Sequence, residues 1–198
     1  MKLYGRPQSG YTKKVRIALA EKGLLEDVPL VHVSKEESKE PNHLARHPLG
    51  LVPVLEHEGR FLAESTAIIT FLDAYRPEPS LFPSDPWLRA EVTFWDRYFD
   101  QASTPPVRVL MFGRERGDLT ASQEAKAKAE LGTVFEYLDR SLSGRSFLVG
   151  DCFTLADLAF MSRLQLLPLL ELELPESLPN VRAWRDRLEK RTSWSAVM

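Results

Sequence analysis

Three short stretches of this chain carry residue types that could hold or activate a ligand. In Gly50-Leu51-Val52-Pro53 a proline interrupts an apolar, strand-like run. Proline cannot donate to a strand ladder, so it belongs at an edge, and one arrangement open to it is a cis peptide. A cis Val52–Pro53 bond would turn the Val52 backbone outward, where its N–H and C=O could pair with an extended peptide as an added strand does. An ordinary edge-strand proline is the alternative. In Glu64-Ser65 an acid and a hydroxyl fall where a helix begins. Free backbone N–H groups and the helix dipole favour an anion there, so Ser65 could receive a ligand carboxylate while Glu64 takes an ammonium. Ser65 could equally be a plain N-cap. The reciprocal capping box is missing, because position 68 is Ile68 rather than Glu or Gln. Ser9 and Tyr11 lie between the first strand and the first helix. A hydroxyl near a helix N-terminus can stabilise a bound thiolate and lower a thiol pKa from about 8.5 towards neutrality. The alternative is a loop or cap role for Ser9 and Thr12. Nothing around Ser9 resembles a serine-hydrolase elbow, which argues against a covalent nucleophile.

These residues need elements to place them. Lys2-Leu3-Tyr4 reads as a short strand ending at Gly5 and Pro7. From Thr12, Val15, Ala18 and Leu19 fall at helical spacing, and Gly23 suits the helix end. Val28 to Val33 is strand-like, and Pro41 to Arg46 suits a short polar helix. Val52 to Leu55 and Arg60 to Ala63 flank Glu56-His57-Glu58-Gly59, a hairpin turn. Ile68, Phe71, Leu72 and Tyr75 then mark an amphipathic helix. The order βαβ, an irregular piece and ββα makes a small mixed sheet with helices. Arg76 to Pro86 holds four prolines in eleven residues and reads as a linker. Beyond it Val92, Trp95 and Phe99 mark one helical face, with a break expected at Pro105-Pro106. Further helices follow through Leu131 to Leu142, Leu155 to Leu166 and Val181 to Leu188. The expected division is an α/β domain over 1–76, a linker over 77–86 and an all-helical domain over 87–198.

Composition removes several function classes. A net charge of −2 gives no electrostatic case for nucleic acid. No apolar stretch approaches the roughly 18 residues of a membrane span, and no signal-peptide core follows Met1, so a cytoplasmic protein is expected. Cys152 is the single cysteine, which excludes an internal disulfide, a cysteine-pair redox motif and a multi-cysteine metal site. It is read as buried and structural. His43 and His47 have the spacing of a helical metal pair, but His47 precedes Pro48 and no third ligand is evident. They are read as surface histidines. Thr154-Leu155-Ala156-Asp157 matches an N-capping box with Asp in place of Glu, a folding element of the helical core. Trp87, Trp95, Trp184 and Trp194 are read as packing residues.

The series Leu3-Tyr4-Gly5-x-Pro7-x-Ser9, Lys14-Val15-Arg16-Ile17-Ala18-Leu19, Pro48-x-Gly50-x-Val52-Pro53-Val54-Leu55, Glu64-Ser65-x-Ala67-Ile68 and Phe153-Thr154-x-Ala156-Asp157 spans nearly the whole chain. It resembles the soluble glutathione S-transferase superfamily, and within it the serine-type, theta- and phi-like bacterial members. The resemblance implies a thioredoxin-like α/β N-terminal domain, an all-helical C-terminal domain with an electrophile pocket, and a homodimer. It implies glutathione as co-substrate, no metal, and conjugation of the glutathione thiolate to a small hydrophobic electrophile. By position, Ser9 (alternatively Tyr11) would hydrogen-bond the sulfur. Val52, ahead of a cis Pro53, would pair with the cysteinyl part. Glu64 and Ser65 would hold the γ-glutamyl end, and Lys39 would meet the glycine carboxylate. Leu51 stands where many relatives carry Gln or Lys, and His47 replaces the commoner Asn before Pro48. Cysteine-type branches are excluded, since no cysteine lies in the Ser9 loop. A binding protein with little turnover, or a glutathione-dependent isomerase or peroxidase, would use the same scaffold. Trp95, Phe99, Val107 and Phe112 are candidates to surround the second pocket.

Overall fold

The structure is a computed structural model that describes residues 1–164 and 166–198. Strand β1 (Lys2–Gly5) pairs in parallel with β2 (Leu30–His32) and antiparallel with β3 (Val54–His57), which pairs antiparallel with β4 (Arg60–Ala63). The sheet order is therefore β2-β1-β3-β4. A parallel pair needs a crossover, and helix α1 (Gly10–Glu21) makes it. The β3–β4 hairpin turns at Glu58 and Gly59, with φ of 52° and 72°, the sense of twist that a two-residue hairpin favours. Register fixes what this sheet can present. Tyr4 faces Val54 and Val54 faces Ala63, so the end of β1, the start of β3 and the end of β4 coincide. The segments holding Ser9, Val52-Pro53 and Glu64-Ser65 thus leave the sheet at one end.

Helices α1 and α3 (Ser65–Tyr75) bury Val15, Ile17, Ala18 and Leu19 from one, Ile68, Ile69 and Leu72 from the other. A short 3₁₀ turn (Glu37–Lys39) and helix α2 (Pro41–Leu44) fill the stretch between β2 and β3. Two lysines are buried here. Lys14 Nζ donates to Thr66 Oγ1 at 3.1 Å, tying α1 to the first turn of α3. The Lys22 ammonium pairs with Asp73 and donates to the Pro77 carbonyl at 3.2 Å, so its charge is compensated. Helix α9 (Thr192–Val197) packs on α1, where Glu21 receives a bidentate Arg191 guanidinium at 2.8 and 2.7 Å. Burial raises the Glu21 carboxyl, but Arg191 and the Ser193 hydroxyl outweigh it and hold the group below its ordinary value. Arg191–Met198 consequently belong with Met1–Leu81 in one compact unit, and Phe82–Lys190 form the other. A division at the prolines alone groups those last residues with the helical domain; the Glu21 contacts draw them to the first unit.

The second unit comprises α4 (Pro86–Arg116), α5 (Ala121–Ser141), α6 (Leu155–Leu164), α7 (Leu166–Leu169) and α8 (Pro179–Glu189). Asp85 caps α4 through the Leu88 amide, and Thr120 with Gln123 form a reciprocal capping box on α5. The expected break at Pro105-Pro106 does not occur: α4 runs through both prolines. Each interior proline costs about 3 kcal/mol, but side chains on both halves are buried, Val92 and Phe99 before and Val107 and Leu110 after. Packing along the helix offsets the lost backbone bonds. The core centres on Phe160, which meets Phe99 at 4.8 Å and stacks on Trp184 at 5.1 Å. Asp157, 0% exposed, accepts from the Leu148 and Thr154 amides and from Trp184 Nε1, so the predicted capping residue also ties α6 to α8. Two expectations fail at the surface: Cys152 is exposed rather than buried, and so is Trp87. Among the described residues, no helix is long and apolar enough to cross a membrane.

Candidate functional site

The approach to β3 is built by close contacts. Gly50 has φ of +61°, and a Cβ there would lie 2.4 Å from the Ser38 carbonyl oxygen, so only glycine lets the chain pass. Lys39 ends the 3₁₀ turn beside it, its Nζ 3.2 Å from that same Cβ position. The Val52–Pro53 peptide is cis. The Val52 side chain is buried with Tyr4, Val33 and Val54. Its own N–H and C=O make no hydrogen bond among the described residues. Backbone groups are nearly always paired when buried, so this pair is one a ligand can use.

Both nearby histidines are buried, not at the surface as their polar surroundings in sequence suggest. His43 is 3% exposed and its Nε2 lies 2.8 Å from the Leu51 carbonyl oxygen. His47 is 5% exposed, and its Nδ1 accepts from the Leu49 amide at 3.3 Å. That bond leaves the proton on Nε2, which faces the Glu64 carboxylate at 4.0 Å. The signal available in sequence was the shape of the Pro41–Leu44 helix, whose inward position is His43 while Leu44 is exposed.

Glu64 stands where β4 gives way to α3, with φ 71° and ψ 118°. A side chain there strains the backbone by roughly 1–3 kcal/mol, and such strain concentrates at ligand sites. Its carboxylate is 73% exposed. Ser65 is buried as the first residue of α3, and no side chain caps that helix. The start of α3 therefore keeps its anion-attracting character open, with an acid in front of it. Ser9 is the N-cap of α1: its Oγ accepts from the Thr12 amide at 3.3 Å. Accepting that bond leaves the hydroxyl proton to be donated elsewhere, so a cap and a thiolate donor are compatible in one residue. Tyr11 lies half-buried in the first turn of α1. Tyr4 is committed instead, its hydroxyl donating to Glu56 Oε2 at 2.6 Å under the Arg46 guanidinium, and the bond to Glu56 raises its pKa.

Residues 3–80 match the family model "Glutathione S-transferase, N-terminal domain", and residues 99–192 match "Glutathione S-transferase, C-terminal domain". The chain belongs to the glutathione S-transferase family. It is 32% identical to glutathione S-transferase 2 of Saccharomyces cerevisiae, over 98% of this chain and 87% of that protein. The crystal structure of Gtt2 from the same yeast is similar with a TM-score of 0.88, 29% identity and complete coverage of both chains. Glutathione transferase F7 of Populus trichocarpa is similar with a TM-score of 0.85 at 28% identity, over 99% of this chain and 96% of that one. The first unit is thus the thioredoxin-like domain of a glutathione S-transferase, and glutathione is the co-substrate its family uses. In the helical unit, Trp95 stacks on the half-buried Tyr137 at 5.2 Å and Phe99 meets the tilted Phe160 ring at 4.8 Å, Trp95 and Phe99 both being buried. Val107 lines a small apolar cavity with Leu131 and Phe135, and Phe112 is half-exposed under Arg108.

Proposed function

We propose that this chain is a serine-type glutathione transferase of the theta- and phi-like kind, acting as a cytoplasmic homodimer on a small hydrophobic electrophile. One observation carries the reading: the Ser9 hydroxyl at the start of α1, the unpaired Val52 backbone and the uncapped start of α3 behind Glu64 all lie at one end of the sheet. A tripeptide laid along that end pairs its cysteinyl backbone with Val52 beside cis Pro53. Its γ-glutamyl carboxylate meets Ser65 and the α3 amides, its ammonium meets Glu64, and its glycine carboxylate meets the Lys39 ammonium. The thiol loses its proton to solvent. The resulting thiolate accepts from the Ser9 O–H at the positive end of α1, attacks an electrophilic carbon, forms the C–S bond and expels the leaving group. The nucleophile belongs to the peptide; the protein orients it and lowers its pKa.

Turnover of an electrophile panel, paired with glutathione calorimetry, tests this. Ser9→Ala raises the pKa of the bound thiol and lowers kcat/KM at neutral pH by roughly 10- to 100-fold, with glutathione affinity within about twofold. Unchanged turnover contradicts the role of Ser9, and Tyr11→Phe then decides whether the phenol replaces it. The exposed, apolar Leu51 beside Val52 favours a second reading, a glutathione-binding protein with little turnover. Glutathione binding by calorimetry without conjugation of any electrophile in the panel selects it.

A further inference from the structure

We propose that His43 is a positioning residue of the peptide cradle, fixing the Leu51–Val52 peptide plane so that the Val52 amide points at the ligand. The inference rests on the cradle proposed above. Leu51 O can only accept, so the 2.8 Å contact requires the proton on His43 Nε2. Among the described residues, His43 Nδ1 is buried with no partner. A buried acceptor without a donor costs stability that an apolar side chain would not, so the ring is not explained by packing alone. Its single bond goes to the carbonyl immediately before Val52. The Leu51–Val52 peptide is trans, and in a trans unit the C=O and N–H point in opposite directions. Holding the Leu51 carbonyl towards the buried ring therefore turns the Val52 N–H away from it, and that N–H has no partner among the described residues. Leu49 and Leu51 are both exposed, so their side chains do not anchor this segment. The His47 bond to the Leu49 amide and the Gly50 passage against Ser38 restrain the segment before it; His43 sets the peptide that carries the binding group.

Gln places an amide N–H near the imidazole Nε2 position, whereas Leu and Asn leave that position without a donor. Wild type, His43→Gln, His43→Leu and His43→Asn are compared by glutathione calorimetry, steady-state kinetics with a generic electrophile, and thermal melting. His43→Leu and His43→Asn weaken glutathione binding about tenfold and raise its KM in parallel, with kcat within about twofold. His43→Gln restores affinity to within about threefold of wild type. A structural role alone shifts melting without this KM-against-kcat split and without rescue by Gln. Folded His43→Leu, or His43→Asn if the former does not fold, with wild-type glutathione affinity overturns the inference and leaves the cradle standing. Wild-type protein that does not bind glutathione overturns the cradle itself.

Discussion

Asp157 in α6 and Glu64 ahead of α3 are both carboxylates set beside a hydroxyl at a helix start, with Thr154 in one case and Ser65 in the other. Asp157 is 0% exposed and accepts from two backbone amides, an indole N–H and the Thr154 hydroxyl. Glu64 is largely exposed, caps nothing, and sits on a strained backbone with φ of 71°. The first uses its acceptors inside the protein, and the second leaves them facing solvent. In sequence the two pairs look alike; burial and satisfaction separate the folding element from the one proposed to bind.

The largest effect should come from breaking the satisfied side of this pair. Asp157→Ala strands buried donors of Leu148, Thr154 and Trp184 and should cost about 3–5 kcal/mol in urea unfolding, while molecules that remain folded bind glutathione as before. The same residue gives a pH signature. Burial pushes its carboxyl up to about 6, against the pull of its donors, so the folded state binds a proton more tightly than the unfolded chain. That contribution is full below the unfolded value near 4 and is lost as pH rises through about 6. Stability of wild type relative to Asp157→Asn should therefore fall between pH 4 and 6 and level off above. A rise over that range would show that the donors, not burial, dominate.

Smaller effects sharpen the other side. Gly50→Ala drives a Cβ into the Ser38 carbonyl at positive φ and should destabilise by roughly 1–3 kcal/mol, with weaker glutathione binding as the Val52 segment shifts. Glu64→Gly should do something Asp157 substitutions cannot: relieve strain and stabilise by about 1 kcal/mol while weakening glutathione binding. Loss of both stability and binding in Glu64→Gly would place Glu64 with the folding elements.

The hairpin, the amphipathic helices and the Thr154–Asp157 cap were legible because each has a local cause in residue type and period. The unbroken passage of α4 through Pro105-Pro106 was not, since the cost of a proline is local but its compensation by Val92, Phe99, Val107 and Leu110 is tertiary. Cys152 and Trp87 were misjudged for the converse reason: residue types that favour burial lie exposed in this fold. Ser9, Val52 and Glu64-Ser65 were recognisable as types at helix and strand ends, and strand register places them at one end of the sheet. The burial of His43 and His47, the backbone of Glu64 and the proximity of Lys39 to Gly50 depend on contacts between segments with no periodic signature.

In the proposed reading, Glu64-Ser65 and Val52 form one open cradle for glutathione. Calorimetric titration of wild type, Glu64→Ala and Ser65→Ala with glutathione, each checked for native melting, measures it most directly. Wild type should bind, and each variant should lose about tenfold or more in affinity, the scale of a charge-assisted hydrogen bond. Wild-type affinity in both variants, or no binding by the wild-type protein, would contradict it.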